Sequence, residues 1–550
     1  MAKKTRNSAV QNEFNLDRRT FCLAATAVLM QARTRADEAK VDAPHPILSD
    51  PKIVGPIPVS EGNVPYTSTV TPGSGSAHLM SEFNYVEEEY FLFGHANIYG
   101  PGVKVKTAIG ASGGSGLDVQ NLKPLGGLVQ ANMPYATRLL MVRPRDNSRF
   151  SGRVHAYPFH NVSTRVSVER NLLRGGDAVL GFEGCSGTRF GPLEIPSGGI
   201  PQLHKFNAER YRDLFLSVAN PADWPDLKPG SLAKAFETLD FGKVDASSSL
   251  FTEELYRSYA QAPDIMSQVA RALKNNNASF PFEGKVTRVF SYGASGGSGI
   301  LQAYIDYHHD AAFMPDGRPP FDGYMIAVGI LPDTRPRGAV FAMVEGEGEA
   351  SKGWLMHRTE PPDTDNPRFR FYQLPGTGHL MSAPLSEVAT PQVGTELRES
   401  AKVVPQGIVG LSDTGVAPEG VLPYDKINTP VIWGVWHNIY AWIEKGVPMP
   451  TAPRIEHDPK AADGIARDAN GNALGGLRTP WVDVPDATYL FQISKKDPLR
   501  AGMRPFSAEK MKSLYGSRQN YLKKINARID RMVKERWIQA EDADLMRLKA

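Results

Sequence analysis

Cysteine is almost absent from this chain: Cys22 and Cys185 are the only two in 550 residues, so no disulfide framework is available. Long hydrophobic runs are missing too. Without an apolar stretch of about 18 residues there is no ordinary membrane-spanning helix. Charge of one sign is also scarce: the formal net charge is +3, which gives no argument for nucleic-acid binding. Glycine (51) and proline (43) are plentiful but spread out, as in a loop-rich globular enzyme rather than a disordered chain. The length suits one large domain with insertions, or two domains.

The chain is organised around VTRVFSYGASGGSGILQAYIDYHHD, Val286 to Asp310. Val286, Val289 and Phe290 lie in a run that reads as a buried strand, and Ile300, Leu301, Tyr304 and Ile305 recur at helical spacing. Between them stands Gly293-Ala294-Ser295-Gly296-Gly297. Strand, G-x-S-x-G, helix is the setting of a nucleophile elbow, in which a tight turn thrusts the serine out beside a helix N-terminus. Free backbone N–H groups there can face a developing oxyanion. The same pentapeptide occurs at Gly110–Gly114, but LDVQNLKPLGG follows it, with a proline, a glycine pair and no helical stripe. That copy reads as a β-loop, so the context selects Ser295 over Ser112.

Three more strands follow the elbow, Phe321–Ile330, Ala339–Val344 and Phe369–Leu374. The second runs into Glu345-Gly346-Glu347-Gly348-Glu349 and the third into Pro375-Gly376-Thr377-Gly378-His379. Serine, acid and histidine thus come in the α/β-hydrolase order, each at the C-terminal end of a strand, where a parallel sheet gathers its site. Glu345 lies nearest the strand and reads as a solvated loop carboxylate. The pattern of strand, Gly, two residues and then acid favours Glu349 as the orienting acid, with Glu347 as the alternative.

The chain resembles a large alpha/beta-hydrolase-domain family of bacterial, often exported, serine esterases. The resemblance rests on TRLLMVRPRDNSRFSGRVHAYPFHN, YGASGGSG, PPDTDNPRFRFYQLPGTGH and GGLRTPWVDVPDATY, and it runs from about residue 80 to 545. It implies a serine-esterase site, and the family's acid loop aligns on Glu349. Members often have S-Q-S-G at the elbow and Asp in the acid loop, where this chain has Ser295-Gly296-Gly297-Ser298 and Glu349. These departures bear on substrate preference more than on fold.

Around this core, residues 1–39 read as a leader. Arg18-Arg19 precede a short apolar stretch, Phe21–Met30, as in a twin-arginine export signal, which implies the export machinery as a partner and a periplasmic or secreted location. Residues 40–135 read as an extended and β-structured N-terminal region, and 136–450 as the hydrolase core. Within the core, about 189–263 form a lid. Residues 451–550 read as a C-terminal extension packed on the core, with Leu522, Ile525, Ile529 and Met532 on one helical stripe. Trp433, Trp436, Tyr440 and Trp442 read as a buried aromatic face, and His95 as a strand-surface residue. Metal binding needs three or four convergent ligands. Adjacent His308 and His309 point apart on a helix and read instead as a cationic C-terminal cap.

The expected fold is therefore an α/β hydrolase with a mainly parallel sheet. The expected activity is hydrolysis of a small-molecule carboxylic ester through an acyl-enzyme on Ser295. His379 would act as base and then acid, and the backbone of Gly296 and of the Phe159–Asn161 loop (His160, Asn161) would form the oxyanion hole. No cofactor or metal is implied. An amidase or lactonase would use the same residues, and the alternative of another class is a non-catalytic periplasmic binding protein on a hydrolase shell.

Overall fold

The computed structural model describes residues 46–67, 75–100, 125–159, 169–186, 199–218, 258–329, 331–352, 368–379, 381–382, 417–494 and 499–550. A sheet of nine strands carries the site. They are β1 (Lys52–Val54), β2 (Tyr85–Gly100), β3 (Gly127–Pro144), β4 (Arg153–Pro158), β5 (Ala178–Phe182), β6 (Arg288–Ala294), β7 (Gly323–Ala327), β8 (Val340–Gly346) and β9 (Phe369–Leu374). Their spatial order is β1-β2-β3-β5-β4-β6-β7-β8-β9. From β5 to β9 all pairings are parallel, whereas β1 to β3 are antiparallel to their neighbours.

The parallel strands are apolar on both faces because helices cover both. Val289, Ile326, Phe341 and Met343 face a core shared with helices α1 (Ala262–Lys274) and α2 (Gly296–Tyr307). Phe290, Met325, Ala342 and Val344 face the opposite core, under α3 (Thr429–Lys445) and α4 (Arg518–Lys534). The expected aromatic face on α3 is there: Trp433, Trp436, Tyr440 and Trp442 are buried. On α4 the buried stripe is Tyr521, Ile525, Ile529 and Met532, with Leu522 partly covered at its edge. His95 is exposed on β2, as its strand position suggested.

The boundary expected at residues 135/136 falls inside one strand. β3 crosses it without a break and pairs with β2 over nearly its whole length, so this N-terminal region is the antiparallel edge of the main sheet. β5 ends at Phe182, opposite Leu139, so residues 127–138 of β3 project beyond the C-terminal ends of the parallel strands. Part of the expected lid is docked on that projection: Ala136 and Phe215 exchange backbone hydrogen bonds of 3.0 and 2.8 Å. Arg210 anchors the same segment through Glu89 at 2.7 Å, with both side chains buried. Residues 189–198 and 219–257 of the lid lie outside the described residues.

The histidine pair after α2 is not a cationic cap. Both rings are buried, and burial pushes each imidazole down to about 4, so they are neutral at neutral pH. His308 Nε2 donates to the Leu125 carbonyl at 2.7 Å. His309 Nε2 donates to the Arg337 carbonyl at 2.9 Å, and its Nδ1 accepts from the Tyr324 hydroxyl at 2.7 Å. Tertiary burial thus overrides the helix-end preference for positive charge. Among the described residues no helix is long and apolar enough to cross a membrane.

Candidate functional site

Ser295 follows β6 directly and caps the N-terminus of α2, with φ 49° and ψ −126°. A non-glycine residue with such angles is strained and persists only where its surroundings over-determine it. They do so here. The Ser295 N–H donates to the Ala327 carbonyl at 3.3 Å, and the Ser295 carbonyl accepts from the Ser298 N–H at 3.0 Å. Gly293 makes the turn possible, since a Cβ there would stand 3.0 Å from the Gly297 carbonyl oxygen and 3.1 Å from Leu301 Cβ. Val328, at the end of the neighbouring β7, is also held at positive φ (46°). For a β-branched residue this is a marked outlier, so strain is concentrated where two strand ends meet.

The acid comes from the far end of β8. After Gly346 the chain makes a four-residue helix, Glu347–Ala350, that turns back towards β9. A Cβ on Gly346 would lie 2.4 Å from the Gly378 carbonyl oxygen, so only glycine lets the acid turn approach the histidine loop this closely. Glu349 is fully buried. Its Oε2 accepts from the Gly346 N–H at 3.1 Å and its Oε1 lies 2.9 Å from His379 Nδ1. His379 Nε2 in turn lies 3.0 Å from Ser295 Oγ. The carboxylate can only accept, so it fixes the proton on Nδ1 and leaves Nε2 as an acceptor for the serine hydroxyl. Serine, imidazole and carboxylate are thereby in line for nucleophilic attack by the serine.

Glu347, the alternative acid, is held by other partners. Its Oε2 accepts from the Gly376 N–H at 2.7 Å and its Oε1 from Arg467 Nη2 at 2.7 Å. Burial pushes its carboxyl up, against the pull of Arg467 and the Gly376 N–H. The side chain is a buried strut that ties the histidine loop to the C-terminal extension. Glu345 is no solvated loop residue: β8 continues through Gly346, and the Glu345 side chain is buried. Arg467 was not singled out from the sequence. Its partner is 120 positions away, and no local pattern marks the pair.

Gly296 is the first residue of α2, where backbone N–H groups have no acceptor within the helix. His160 and Asn161, expected to complete an oxyanion hole, lie outside the described residues, as does Ser112. Among the described residues no group of three or more His, Cys, Asp or Glu side chains could hold a metal ion.

The nine-stranded sheet, the elbow after β6 and the acid and histidine after β8 and β9 define an α/β-hydrolase architecture. The chain belongs to the alpha/beta hydrolase domain family, whose model matches residues 53–547. Comparison with curated proteins finds no match. Among solved structures, the chain is similar to a protein described as a dienelactone hydrolase from Klebsiella pneumoniae subsp. pneumoniae. The identity is 11% over 49% of this chain and 90% of that one, with a TM-score of 0.23. It is also similar to a prolyl endopeptidase, 9% identical over 59% of this chain and 44% of that one, with a TM-score of 0.21. Values this low carry no argument about substrate.

Proposed function

We propose that the protein is a serine esterase that hydrolyses a small carboxylic ester through an acyl-enzyme on Ser295. The observation that supports this reading is the relay of 3.0 Å from Ser295 Oγ to His379 Nε2 and 2.9 Å from His379 Nδ1 to Glu349. In this mechanism His379 takes the serine proton as Oγ attacks the carbonyl carbon, then gives it to the departing alcohol. Glu349 orients the ring and stabilises the imidazolium. The Gly296 N–H, with the 160–161 loop, would hold the oxyanion. Water then attacks the acyl-enzyme, with His379 again as base, and releases the acid. None of these steps calls for a cofactor.

The same relay can open lactones and amides, so the test is a matched panel: an ester, its amide and a lactone of similar size. Turnover of the ester well above the amide supports the reading, and the reverse order rejects it. A fluorophosphonate probe separates any serine hydrolase from a binding protein on the same shell. Labelling of the wild type that is lost in Ser295→Ala is the expected result. We also propose that the Arg18-Arg19 leader directs the folded protein through the twin-arginine machinery to the periplasm or beyond.

A further inference from the structure

One cavity beside the strand that carries Ser295 is unused by the chemistry described above. It has a volume of about 150 Å³ and lies on the sheet face covered by α3. His155 pairs with Phe290 across β4 and β6, and Tyr292 pairs with Met325 across β6 and β7. Because side chains alternate along a strand, Tyr157, Tyr292 and Met325 line up as one row on that face. The next residue of β6 on the same face is Ala294, and Ser295 follows it. Tyr292, which lines the cavity, therefore precedes Ser295 by three residues, about 10 Å of strand rise. Thr429, at the start of α3, also lines it. The Thr429 N–H donates to Ser382 Oγ at 3.2 Å, and Ser382 lies three residues beyond His379. The cavity is thus bracketed by the serine strand and by the continuation of the histidine loop.

The wall has a definite chemistry. Tyr157, Tyr292, Trp433 and Trp436 make it aromatic, and Glu169 and Asn171 add polar groups. Glu169 Oε2 accepts from Trp433 Nε1 at 3.1 Å. Among the described residues, the buried Asn171 side-chain oxygen has no hydrogen-bond partner. Leaving such a group unmet is costly, so a ligand that satisfies it gains correspondingly. A cavity of about this volume, when lined only by aliphatic and Phe side chains, takes up a benzene ring. Here the lining adds acceptors to that apolar space.

We propose that this cavity is the specificity pocket of the Ser295 site and takes a ring-sized group of the substrate that carries a hydroxyl or an amine. The inference rests on the esterase reading given above. Aromatic walls bury the ring, and the Asn171 oxygen receives its O–H or N–H donor. A site built to hydrogen-bond a substrate group rejects the analogue without it far more strongly than an apolar pocket rejects a size change.

Benzyl acetate and vinyl phenylacetate place the ring on the alcohol and acyl halves respectively, and vinyl acetate carries no ring. In the wild-type enzyme one of the two ring esters should exceed vinyl acetate in kcat/KM by about ten-fold or more, and its 4-hydroxy or 4-aminomethyl form should gain further. Ile432 also borders the cavity. In Ile432→Trp, which fills the space, the ratio of ring ester to vinyl acetate should fall towards one. In Asn171→Leu the plain-ring preference should persist, while the advantage of the hydroxyl or amine shrinks. A preference that survives Ile432→Trp, or no ring preference in an enzyme that turns over vinyl acetate, overturns the proposal. Fluorophosphonate labelling tells this failure from failure of the esterase reading. Calorimetric titration with p-cresol, compared between wild type and Ile432→Trp, reads the cavity even where no ester is cleaved: p-cresol binding to the wild type that Ile432→Trp weakens supports the pocket, and equal or absent binding rejects it.

Discussion

Replacing Glu349 and Glu347 separately by glutamine tests the site at the point where two carboxylates of one short helix do different work. Both oxygens of Glu349 accept hydrogen bonds, Oε1 from His379 and Oε2 from the Gly346 N–H. An amide has only one accepting end. With its oxygen towards His379, its NH2 faces the Gly346 N–H, and two donors meet. With its oxygen towards Gly346, its NH2 faces Nδ1, and the ring proton moves to Nε2, where it blocks the serine hydroxyl. Neither arrangement leaves His379 able to take the serine proton in a well-held ring. By analogy with other triads kcat should fall about 10⁴-fold, or about 5.5 kcal/mol of transition-state stabilisation. Both oxygens of Glu347 also accept, but from Gly376 and Arg467, which are not reacting groups. Glu347→Gln leaves a buried donor unmet and weakens a buried ion pair, so stability should drop by about 2–4 kcal/mol. Its kcat should fall by no more than about 100-fold, through displacement of the histidine loop. The assays are kcat on a soluble ester and the urea midpoint for each variant. Near-full activity in Glu349→Gln together with inactivation of a stably folded Glu347→Gln would refute the assignment.

Ser295→Ala should reduce kcat by as much as about 10⁶-fold, whereas Ser112→Ala should leave it near wild type; an inactive Ser112→Ala with an active Ser295→Ala would reverse the choice between the two pentapeptides. Changing Arg18 and Arg19 together to lysine should leave the protein in the cytoplasm, checked by fractionation, and an unchanged periplasmic yield would count against the leader assignment. Burial raises the Glu183 carboxyl from its ordinary 4.5 to about 8, an effect only partly offset by Arg138 and the Cys185 N–H. The native state therefore keeps a proton that the unfolded chain has lost, so this stabilisation is full below about 4.5 and disappears as pH rises through about 8. Glu183→Gln should remove that slope, worth a few kcal/mol at the order-of-magnitude level, in urea unfolding between pH 5 and 9. Parallel stability curves for variant and wild type would show that Glu183 carries no such linkage.

What could be read in advance was local or periodic. A nucleophile elbow needs small residues within a few positions of the serine, so Gly293-Ala294-Ser295-Gly296-Gly297 before a helical stripe was legible without coordinates. Strands buried on both faces announce themselves as short apolar runs, and those runs placed Ser295, the acid turn and His379 at the ends of three strands of the sheet. The helical stripes ending in buried Trp433, Ile525 and Ile529 were legible for the same reason. Local sequence reading favoured Glu349 over Glu347 but left the two open. Both are buried carboxylates in the same turn, and their contacts differ because Arg467 approaches one and His379 the other across long loops. Local pattern was misleading where burial reversed a surface preference, as at His308, His309 and Glu345. The domain boundary expected at 135/136 dissolved for a related reason. Strand pairing is non-local, and it joined β3 to β2 and β5 in a single sheet. The sequence alone determined which residues could act, because turn geometry and periodicity are properties of neighbours along the chain. The tertiary structure alone decided which carboxylate reaches the imidazole, because that distance depends on the packing of segments that the chain brings together from far apart.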